Sequence, residues 1–373
     1  MFDSLRAVLR FRKFELNPNR RRLATSADVD DLRRLAKKRL PAGVFDYIDG
    51  GAEDELTLTR NARAYQTLGF RPRVLRDVSA VDPSCTLLGQ PTPLPLALAP
   101  SGFTRIAHPQ GELAVTRAAA RLGVPYTLST MGTRSIEEMA AASDSVAWAG
   151  DGERRLWFQV YVWKDRQLMR DMIERCAAAR YEALVVTVDA PRLGRRERDL
   201  RRGMELPPKL GLGTIVDAML RPSWTWQFLH NDPIMFANVT TSNSGIDSPD
   251  GSSAIDLADH LNEQFDASLS WDDIDWFRSI WDGKIIVKGI QTIEDALLCV
   301  ERGVDAACLS NHGGRQLDGA PAPIDLVTPC RDAVGDSIAI IVDGGARRGS
   351  DIVKARALGA DAVMTARPYL YAL

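Results

Sequence analysis

Residues 306–319 read AACLSNHGGRQLDG, an apolar run that ends in Ser310, Asn311 and His312 and continues into two glycines and Arg315. The apolar residues predict a buried strand, and the glycines let the backbone turn sharply and pass close to a ligand. His312 is one of four histidines in the chain. A histidine at the end of a buried strand, with a cation three residues further on, indicates a site for a ligand that is both acidic and reactive.

Seven other apolar runs repeat this pattern. Amphipathic segments such as GELAVTRAAARLG and TIEDALLCVERG separate most of them, which is typical of parallel β/α units. Eight strands is the number found in a TIM (β/α)8 barrel, an α/β fold, and a doubly wound sheet is the alternative. The seven runs are PLPLALAP (93–100), VPYTLST (124–130), LWFQVYV (156–162), ALVVTVDA (183–190), KIIVKGI (284–290), SIAIIVDGG (337–345) and AVMTA (362–366).

Polar residues cluster at the carboxyl ends of these predicted strands. A barrel brings all eight ends to one mouth, where barrel enzymes keep their active sites, whereas an open sheet would spread them along an edge. The clustering therefore favours the TIM barrel. The residues at the strand ends are Ser101, Gly102, Ser129, Gln159, Tyr161, Thr187, Asp189, Lys288, Ser310, Asn311, His312, Asp343 and Arg367.

Three regions lie outside the repeat. Residues 197–280 are too long for one helix and predict a tryptophan-rich insert after the fourth strand, with SNSGIDSPDGSS (242–253) as a mobile part. Residues 1–25 form a basic extension with apolar residues at helical spacing, which either lies on an anionic membrane surface or packs as a solvated extension. Residues 26–373 are expected to form one barrel domain. Because only RPYLYAL follows the last strand, we expect the helix that closes the barrel to be missing from the chain.

The composition excludes several classes of protein. The chain has 373 residues, 45% of them hydrophobic, which suffices for a large core. A net charge of −2 gives no general attraction to nucleic acid, and no apolar run is long enough to cross a membrane. The five cysteines are scattered, which predicts reduced core residues of a cytoplasmic protein without a disulfide or zinc framework. No metal site is expected.

The segment VDGGARRGSD (342–351) predicts a phosphate site. Its glycines follow the seventh strand and open a helix, so backbone N–H groups and the helix N terminus can approach an anion. Arg347 or Arg348, together with Arg367, would clamp a phosphate where TIM barrels usually bind one. The alternative is a tight turn with exposed arginines.

A ring of polar side chains suits a flat heterocycle with carbonyl groups and ring nitrogens. Ser129, Gln159 and Thr187 offer hydroxyl and amide groups from successive strands. Lys288 comes at the end of an apolar strand and needs a negative partner, which is either a reduced flavin or a structural carboxylate.

Other residues suit an acidic substrate. Arg196 and Arg315 can each hold a carboxylate in a bidentate manner, whereas Arg195 and Arg198 are expected to be solvated or structural. His312 would take a proton from the substrate, and Asp189 would orient the imidazole and stabilise its charged form. The side chains that can hydrogen-bond a hydroxyl or keto oxygen are Tyr47 and Tyr161.

The segments SNHGGRQLDG, VTVDAPRLGRRERDLR, IVKGI and VDGGARRGSDIVKARALGADAV together resemble the FMN-dependent 2-hydroxy acid dehydrogenase/oxidase family. The extension and the insert look most like its bacterial respiratory L-lactate dehydrogenases. The resemblance implies a TIM barrel, an FMN cofactor and a homotetramer. It implies oxidation of an L-2-hydroxy acid, foremost L-lactate to pyruvate, with a quinone-type acceptor. Alternatives are an oxidase or monooxygenase using O2 and, outside the family, a phosphate-binding barrel isomerase or a non-catalytic barrel.

The resemblance also assigns roles to residues. His312 would be the base, and the further catalytic residues would be Asp189, Tyr47, Tyr161 and Lys288. Whether the proton comes from the carbon or the hydroxyl of the substrate stays open. The substrate would contact Tyr47, Tyr161, Arg196, His312 and Arg315. FMN would contact Pro100, Ser101, Gly102, Ser129, Gln159, Thr187, Lys288, Ser310, Asp343, Gly344, Gly345, Arg347, Ala366 and Arg367.

Three residues depart from the usual family pattern. Ala366 stands where glycine usually precedes the phosphate arginine, and its methyl group would crowd the phosphate. Met131 stands where glycolate oxidases have tryptophan, which argues against glycolate as the preferred substrate. Gly102 stands where oxidases tend to have alanine, which favours a quinone over O2 as acceptor. The scattered cysteines predict a cytoplasmic enzyme, and the basic extension or the insert would place it at the inner face of the cytoplasmic membrane if either binds lipid.

Overall fold

A closed ring of eight parallel strands forms the centre of the molecule, in a computed structural model that describes residues 15–149, 154–204, 211–239 and 264–373. The strands follow chain order around the ring, so the predicted TIM barrel is confirmed and the doubly wound alternative is wrong. They are β3 (Leu96–Leu98), β4 (Tyr126–Ser129), β5 (Leu156–Tyr161), β6 (Ala183–Thr187), β7 (Lys284–Ile290), β8 (Ala306–Leu309), β9 (Ala339–Asp343) and β10 (Ala362–Thr365).

Two short antiparallel strands, β1 (Cys85–Leu87) and β2 (Gln90–Thr92), precede the barrel. Their turn at Leu88 and Gly89 has positive φ angles of 54° and 82°, which suits a tight hairpin. Leu87 and Leu88 are buried with the inward-facing residues of the barrel strands, so the hairpin closes the amino-terminal end of the barrel.

Helices surround the barrel because each crossover between parallel strands buries one apolar face on the sheet. Polar caps start several of them, as where Asp165 accepts a hydrogen bond from the Leu168 amide and Thr292 accepts one from the Asp295 amide. The crossover helices are α5 (Gly111–Leu122), α6 (Ile136–Asp144), α7 (Arg166–Ala178), α11 (Asp272–Ile280), α12 (Ile293–Glu301), α13 (Val327–Val334) and α14 (Gly349–Ala357).

A second helical layer covers the mouth of the barrel. Side chains of α2 (Val29–Arg39) and α3 (Ala42–Asp49) form a separate apolar cluster with Leu370 and Tyr371 of the helix that follows β10. The residues RPYLYAL, from which no helix was expected, therefore contain a short one. The other helices of this layer are α4 (Leu56–Thr67) and α15 (Arg367–Ala372), and α1 (Pro18–Thr25), whose described side chains are exposed, precedes α2 in the chain.

The long segment between β6 and β7 is an insert, as predicted. Its described part before α11 consists of α8 (Glu197–Arg202), α9 (Leu212–Met219) and α10 (Pro222–Leu229). Residues 242–253, expected to be mobile, and residues 1–14 of the basic extension lie outside the described residues.

The five cysteines are free. Four are buried, but Cys85 is only partly buried because it lies on the hairpin. Within the described part of the chain, no helix is long and apolar enough to cross a lipid bilayer.

Candidate active site

A cavity lies at the carboxyl ends of the barrel strands, where the sequence predicted a common site. All eight strand ends contribute to its wall. Of the predicted site residues, Asp189 and Ser310 stay outside the wall. Those that line the cavity are Tyr47, Pro100, Ser101, Gly102, Ser129, Gln159, Tyr161, Thr187, Arg196, Lys288, His312, Arg315, Asp343, Gly344, Gly345, Arg347, Ala366 and Arg367.

His312 is held by an unusual stretch of backbone. His312, Gly313 and Gly314 have consecutive positive φ angles of 57°, 64° and 75°, a conformation that glycine adopts easily and other residues rarely. The His312 amide donates to the Ser310 hydroxyl at 3.0 Å, which fixes the start of this turn. The two glycines after His312 therefore let the loop reverse so that the imidazole faces the cavity.

Asp189 lies behind His312 and completes the pair predicted from the sequence. Its Oδ1 lies 2.9 Å from Nδ1 of His312, and its side chain is 2% exposed. Burial alone would raise the pKa of this carboxyl, but His312 and then Lys288 lower it below its ordinary value. An ionised Asp189 holds the proton on Nδ1, which leaves Nε2 of His312 as the atom that can accept a proton.

A bulge in β7 makes room for Asp189. The register of β7 against β8 shifts between Lys288 and Ile290, and Gly289 has a φ of 115°. A Cβ atom on Gly289 would lie 2.7 Å from Cβ of Asp189. Glycine is therefore required at this position for the carboxylate to reach His312.

Lys288 has a carboxylate partner within the protein. Its Nζ lies 2.9 Å from Oδ2 of Asp343 and donates to the Ser310 hydroxyl at 3.0 Å. Burial alone would lower the pKa of Lys288, but Asp343 and then Asp189 raise it above its ordinary value. The sequence allowed a reduced flavin or a structural carboxylate as the partner of Lys288, and the structure contains the carboxylate, that of Asp343. Ser310, predicted to contact the cofactor, instead lies behind Lys288 and donates to Asp343 at 2.9 Å.

Arg315 is a partly buried cation held by carbonyl groups. Its Nη1 donates to the backbone oxygens of Tyr47 at 2.8 Å and Gly50 at 3.0 Å. Burial and then the nearby Arg196 lower the pKa of Arg315 to about 10. Among the described residues, no carboxylate forms an ion pair with Arg315. Since Arg196 also lines the cavity, this wall favours an anionic ligand.

Arg367, which follows β10, repeats this arrangement two strands from β8 in the barrel. Its guanidinium donates to the carbonyl oxygens of Ile48 at 3.2 Å, Gly313 at 2.9 Å and Gly50 at 2.9 Å. In the part of the chain that the structure describes, it too forms no ion pair with a carboxylate. Burial lowers the pKa of Arg367, so a bound anion would stabilise its charged form.

The glycine loop predicted to bind phosphate lies beside Arg367. Gly344 and Gly345 have positive φ angles of 102° and 91°, and a Cβ atom on Gly345 would lie only 2.1 Å from a backbone oxygen of Asn61. Of the two candidate clamps, Arg347 lines the cavity. Arg348 is the wrong one, because it points away and pairs with Asp28 at 2.7 Å.

The floor of the cavity carries polar atoms that lack protein partners. Ser129 donates to Oε1 of Gln159 at 2.9 Å. Nε2 of Gln159 and Oγ1 of Thr187 are buried and have no hydrogen-bond partner among the described residues. Buried polar groups are rarely left unpaired, so these atoms fit a ligand with carbonyl and ring-nitrogen groups. With the glycine loop and Arg367, they suit a flavin mononucleotide.

The remaining wall is largely apolar and includes residues that the sequence analysis missed. Tyr161 packs edge-on against Phe265 with ring centroids 5.0 Å apart, and Phe103 contacts Phe236 at 5.7 Å. Phe236 and Phe265 come from the insert, where no strand pattern marks them as site residues. Met131 also lines this wall, as the sequence comparison with glycolate oxidases suggested.

Gly102 and Met131, two of the three departures from the family pattern, lie against each other. A Cβ atom on Gly102 would lie 2.8 Å from Cβ of Met131 and 3.2 Å from its backbone oxygen. The third departure, Ala366, lines the cavity next to Arg367. Arg198, expected to be solvated or structural, is structural because it pairs with Asp46, Asp49 and Glu55.

Comparison with known proteins agrees with this geometry. The family described as FMN-dependent dehydrogenase matches residues 36–373. A putative L-lactate dehydrogenase of Mycobacterium tuberculosis is 44% identical over 369 residues, which cover 99% of this chain and 84% of the relative. An L-lactate oxidase of Nostoc sp. is 40% identical over 351 residues, covering 94% of this chain and 88% of the relative.

Solved structures give the same result. The crystal structure of the monotopic membrane protein (S)-mandelate dehydrogenase superposes with a TM-score of 0.84 at 37% identity, covering 93% of this chain and 88% of that one. These relatives are oxidoreductases, which sets aside the alternatives of an isomerase and of a non-catalytic barrel. The chain therefore belongs to the FMN-dependent dehydrogenase family, whose members oxidise 2-hydroxy acids with FMN as cofactor.

Proposed function

We propose that this protein oxidises L-lactate to pyruvate and passes the electrons to a quinone. One observation carries the proposal. His312, which Asp189 orients from behind, and the partly buried cation Arg315, which forms no ion pair with a carboxylate among the described residues, line one cavity. A base beside an anion site suits a substrate that carries a hydroxyl group next to a carboxylate.

The side chains at this wall have different roles toward the substrate. Arg315 and Arg196 hold its carboxylate, and Tyr47 lies close to both, since the two guanidinium carbons lie 5.3 and 5.9 Å from the Tyr47 ring centroid. Nε2 of His312 takes a proton from the substrate, and Asp189 stabilises the resulting imidazolium.

Tyr161 orients the oxygen that becomes the keto group. Burial and then Asp189 raise the pKa of Tyr161 to about 12, so its phenol stays protonated and can donate a hydrogen bond. Its ring and that of Phe265 also limit the access of water to this side of the cavity.

The other half of the cavity would hold FMN. Arg367, Arg347 and the backbone of Gly344 and Gly345 would bind its phosphate, and Lys288 would lie near the ring. When bound, FMN accepts the two electrons that leave the substrate. The other side chains proposed to contact it are Pro100, Ser101, Gly102, Ser129, Gln159, Thr187, Asp343 and Ala366.

The choice of lactate and of a quinone has separate support. The relatives include L-lactate dehydrogenases, at 44% identity for the protein of Mycobacterium tuberculosis and 41% for that of Caulobacter vibrioides. Gly102 favours the quinone, as argued from the sequence. An oxidase that uses O2 is the second candidate, because an L-lactate oxidase is 40% identical.

A visible spectrum of the purified protein, before and after L-lactate is added without oxygen, tests the proposal. We expect a yellow protein that bleaches within seconds and recovers on addition of a soluble quinone. A colour that persists with L-lactate but bleaches with a larger 2-hydroxy acid would exclude lactate as substrate. Formation of one hydrogen peroxide per L-lactate oxidised in air would show that O2, and not a quinone, accepts the electrons.

We further propose that the protein contacts the inner face of the cytoplasmic membrane. On α9 and α10 the side chains of Leu212, Met219 and Leu229 are 84%, 69% and 70% exposed, and α1 carries the exposed Arg20 to Arg22. Apolar and basic side chains together favour an anionic lipid surface. Sedimentation with vesicles containing phosphatidylglycerol should carry the protein down, and Leu212→Asp with Leu229→Asp should abolish this. Val353→Asp, at an exposed position of α14, is the control.

We also propose that residues 26–373 act as one barrel domain and that the protein forms a homotetramer. The chain between α4 and β1 exposes Val74, Leu75 and Val78 by 83%, 101% and 72%, an apolar surface that contact with another subunit would cover. Sedimentation equilibrium should give four times the chain mass of 41.1 kDa. A monomer at micromolar concentration would exclude this assembly.

A further inference from the structure

Two arginines of the cavity, the buried Arg367 and the partly buried Arg315, depend on one turn of backbone. Arg315 and Arg367 both donate to the carbonyl oxygen of Gly50, at 3.0 and 2.9 Å, and each donates to one further carbonyl at the end of α3. Carbonyl oxygens at a helix C terminus carry partial negative charge and stabilise cations. The position of this turn therefore sets the position of both guanidinium groups.

The side chain of Asp49 fixes that turn from the side away from the cavity. Asp49 is the last residue of α3, is 4% exposed and does not line the cavity. Its carboxylate accepts hydrogen bonds from Arg33 at 2.7 Å, from Arg198 at 3.0 Å and from the Tyr371 hydroxyl at 2.8 Å. Three helices, α2, α8 and α15, are thus tied to the end of α3 through one carboxylate.

Two of the three partners of Asp49 lie close in sequence to residues that line the cavity. Arg198 follows Arg196 by two residues, and Tyr371 follows Arg367 by one helical turn of α15. Asp49 itself follows Tyr47 by two residues. The segments that carry these cavity residues are far apart in the chain and meet at this carboxylate.

We propose that Asp49 is a positioning residue for the anion-binding half of the site, acting on the FMN phosphate through Arg367 and on the substrate carboxylate through Arg196, Arg315 and Tyr47. The part that concerns the substrate rests on the proposed function. His312 and Asp189 are held mainly by β6, β7 and the bonds of Ser310 and Asn311, and Arg367 reaches this loop only at the Gly313 carbonyl. We therefore expect the proton transfer to depend on Asp49 less than the binding of FMN and substrate does.

The test uses Asp49→Asn, which keeps the shape of the side chain and removes its charge. The dissociation constant of FMN is measured by titrating apoprotein and following the quenching of flavin fluorescence, and kcat and KM are measured for L-lactate. We expect both the dissociation constant and KM to rise about tenfold, as for the loss of a buried charged hydrogen bond, while kcat changes less than about twofold.

A matched control lies at the other end of the barrel. Glu182 accepts from Arg155 at 2.7 Å and from Trp157 at 2.8 Å, and it precedes β6 at the end opposite the cavity. Glu182→Gln should lower the unfolding midpoint as Asp49→Asn does and leave the FMN dissociation constant and KM unchanged. Equal increases in both variants would overturn the proposal, because a general loss of stability would explain them.

Tyr371→Phe covers the case in which Asp49→Asn does not fold. It removes one hydroxyl from the cluster and should raise the FMN dissociation constant about threefold, as expected for one neutral hydrogen bond. An unchanged constant in this variant, or in Asp49→Asn, refutes the positioning role. If the wild-type protein does not oxidise L-lactate, the proposed substrate fails, and the FMN titration still decides the role of Asp49.

Discussion

Asn61 and Asn311 exchange two side-chain hydrogen bonds of 2.8 Å each. Asn61 belongs to α4, and Asn311 directly precedes His312. Oδ1 of Asn311 also accepts from the Gly314 amide at 3.0 Å, so this pair fixes both ends of the left-handed turn that presents the histidine. The backbone of Asn61 packs on Gly345, which links the histidine loop to the phosphate loop.

Asn61→Leu should therefore weaken the site as well as the fold. The variant leaves part of the buried Asn311 amide unpaired, and we expect a loss of about 2 kcal/mol in the free energy of unfolding, measured with urea. Weaker FMN binding should accompany it. Asn231→Ala, at an exposed position after α10, is the control and should change stability by less than about 0.5 kcal/mol. Equal stability of Asn61→Leu and the wild type would contradict the structural importance of the pair.

Asp189→Asn should slow turnover while FMN stays bound. The asparagine cannot stabilise the charged imidazolium of His312, so we expect kcat for the 2-hydroxy acid to fall by about 100-fold or more. His312→Gln removes the base itself and should cost at least as much. Stopped-flow measurement of flavin bleaching separates this step from the later passage of electrons to the acceptor. Unchanged bleaching in His312→Gln would refute the assignment of the base.

Gly102→Ala should strain the wall of the cavity. The added methyl would lie 2.8 Å from Cβ of Met131, so the loop after β4 must shift. We expect a destabilisation of about 1–3 kcal/mol, measured by urea unfolding, and a raised KM. Gly69→Ala is the matched control, because a Cβ atom at Gly69 meets nothing within 4 Å. A neutral effect at Gly102 would show that Met131 moves without cost.

The acid stability of the protein should depend on Asp49. Burial raises the pKa of this carboxyl, but Arg33, Tyr371 and Arg198 lower it from 3.8 to about 2. Because the pKa of the folded state lies below that of the unfolded state, the stabilisation is complete above pH ~4 and is lost as the pH falls through about 2. The wild type should lose about 2 kcal/mol over this range from this group.

Urea unfolding of the wild type and of Asp49→Asn at several pH values between 5 and 2 measures this contribution. The variant should be less stable at pH 5 and should show a flatter dependence on pH. Parallel curves for the two proteins would mean that Asp49 has the same pKa in the folded and unfolded states.

The alternation of apolar runs and amphipathic segments was enough to predict the TIM barrel, since each buried parallel strand needs an apolar sequence on both faces. The polar residues at the predicted strand ends identified most of the cavity wall, because a barrel brings all eight strand ends to one mouth. The motif around His312 also predicted its pairing with Asp189, although the two lie 123 residues apart. These features follow from the local sequence and from the rule that a barrel brings the carboxyl ends of its strands to one mouth.

Other features were decided by tertiary structure alone. The choice of Arg347 over Arg348 depends on which side chain faces the cavity. Ser310 lies outside the cavity wall, where its hydroxyl is hydrogen-bonded to Lys288 and Asp343. Asn61 and Asp49 carry no recognisable motif. Asn311 lies 250 residues from Asn61, and Arg198 and Tyr371 lie 149 and 322 residues from Asp49, so only the folded chain brings these side chains within hydrogen-bonding distance.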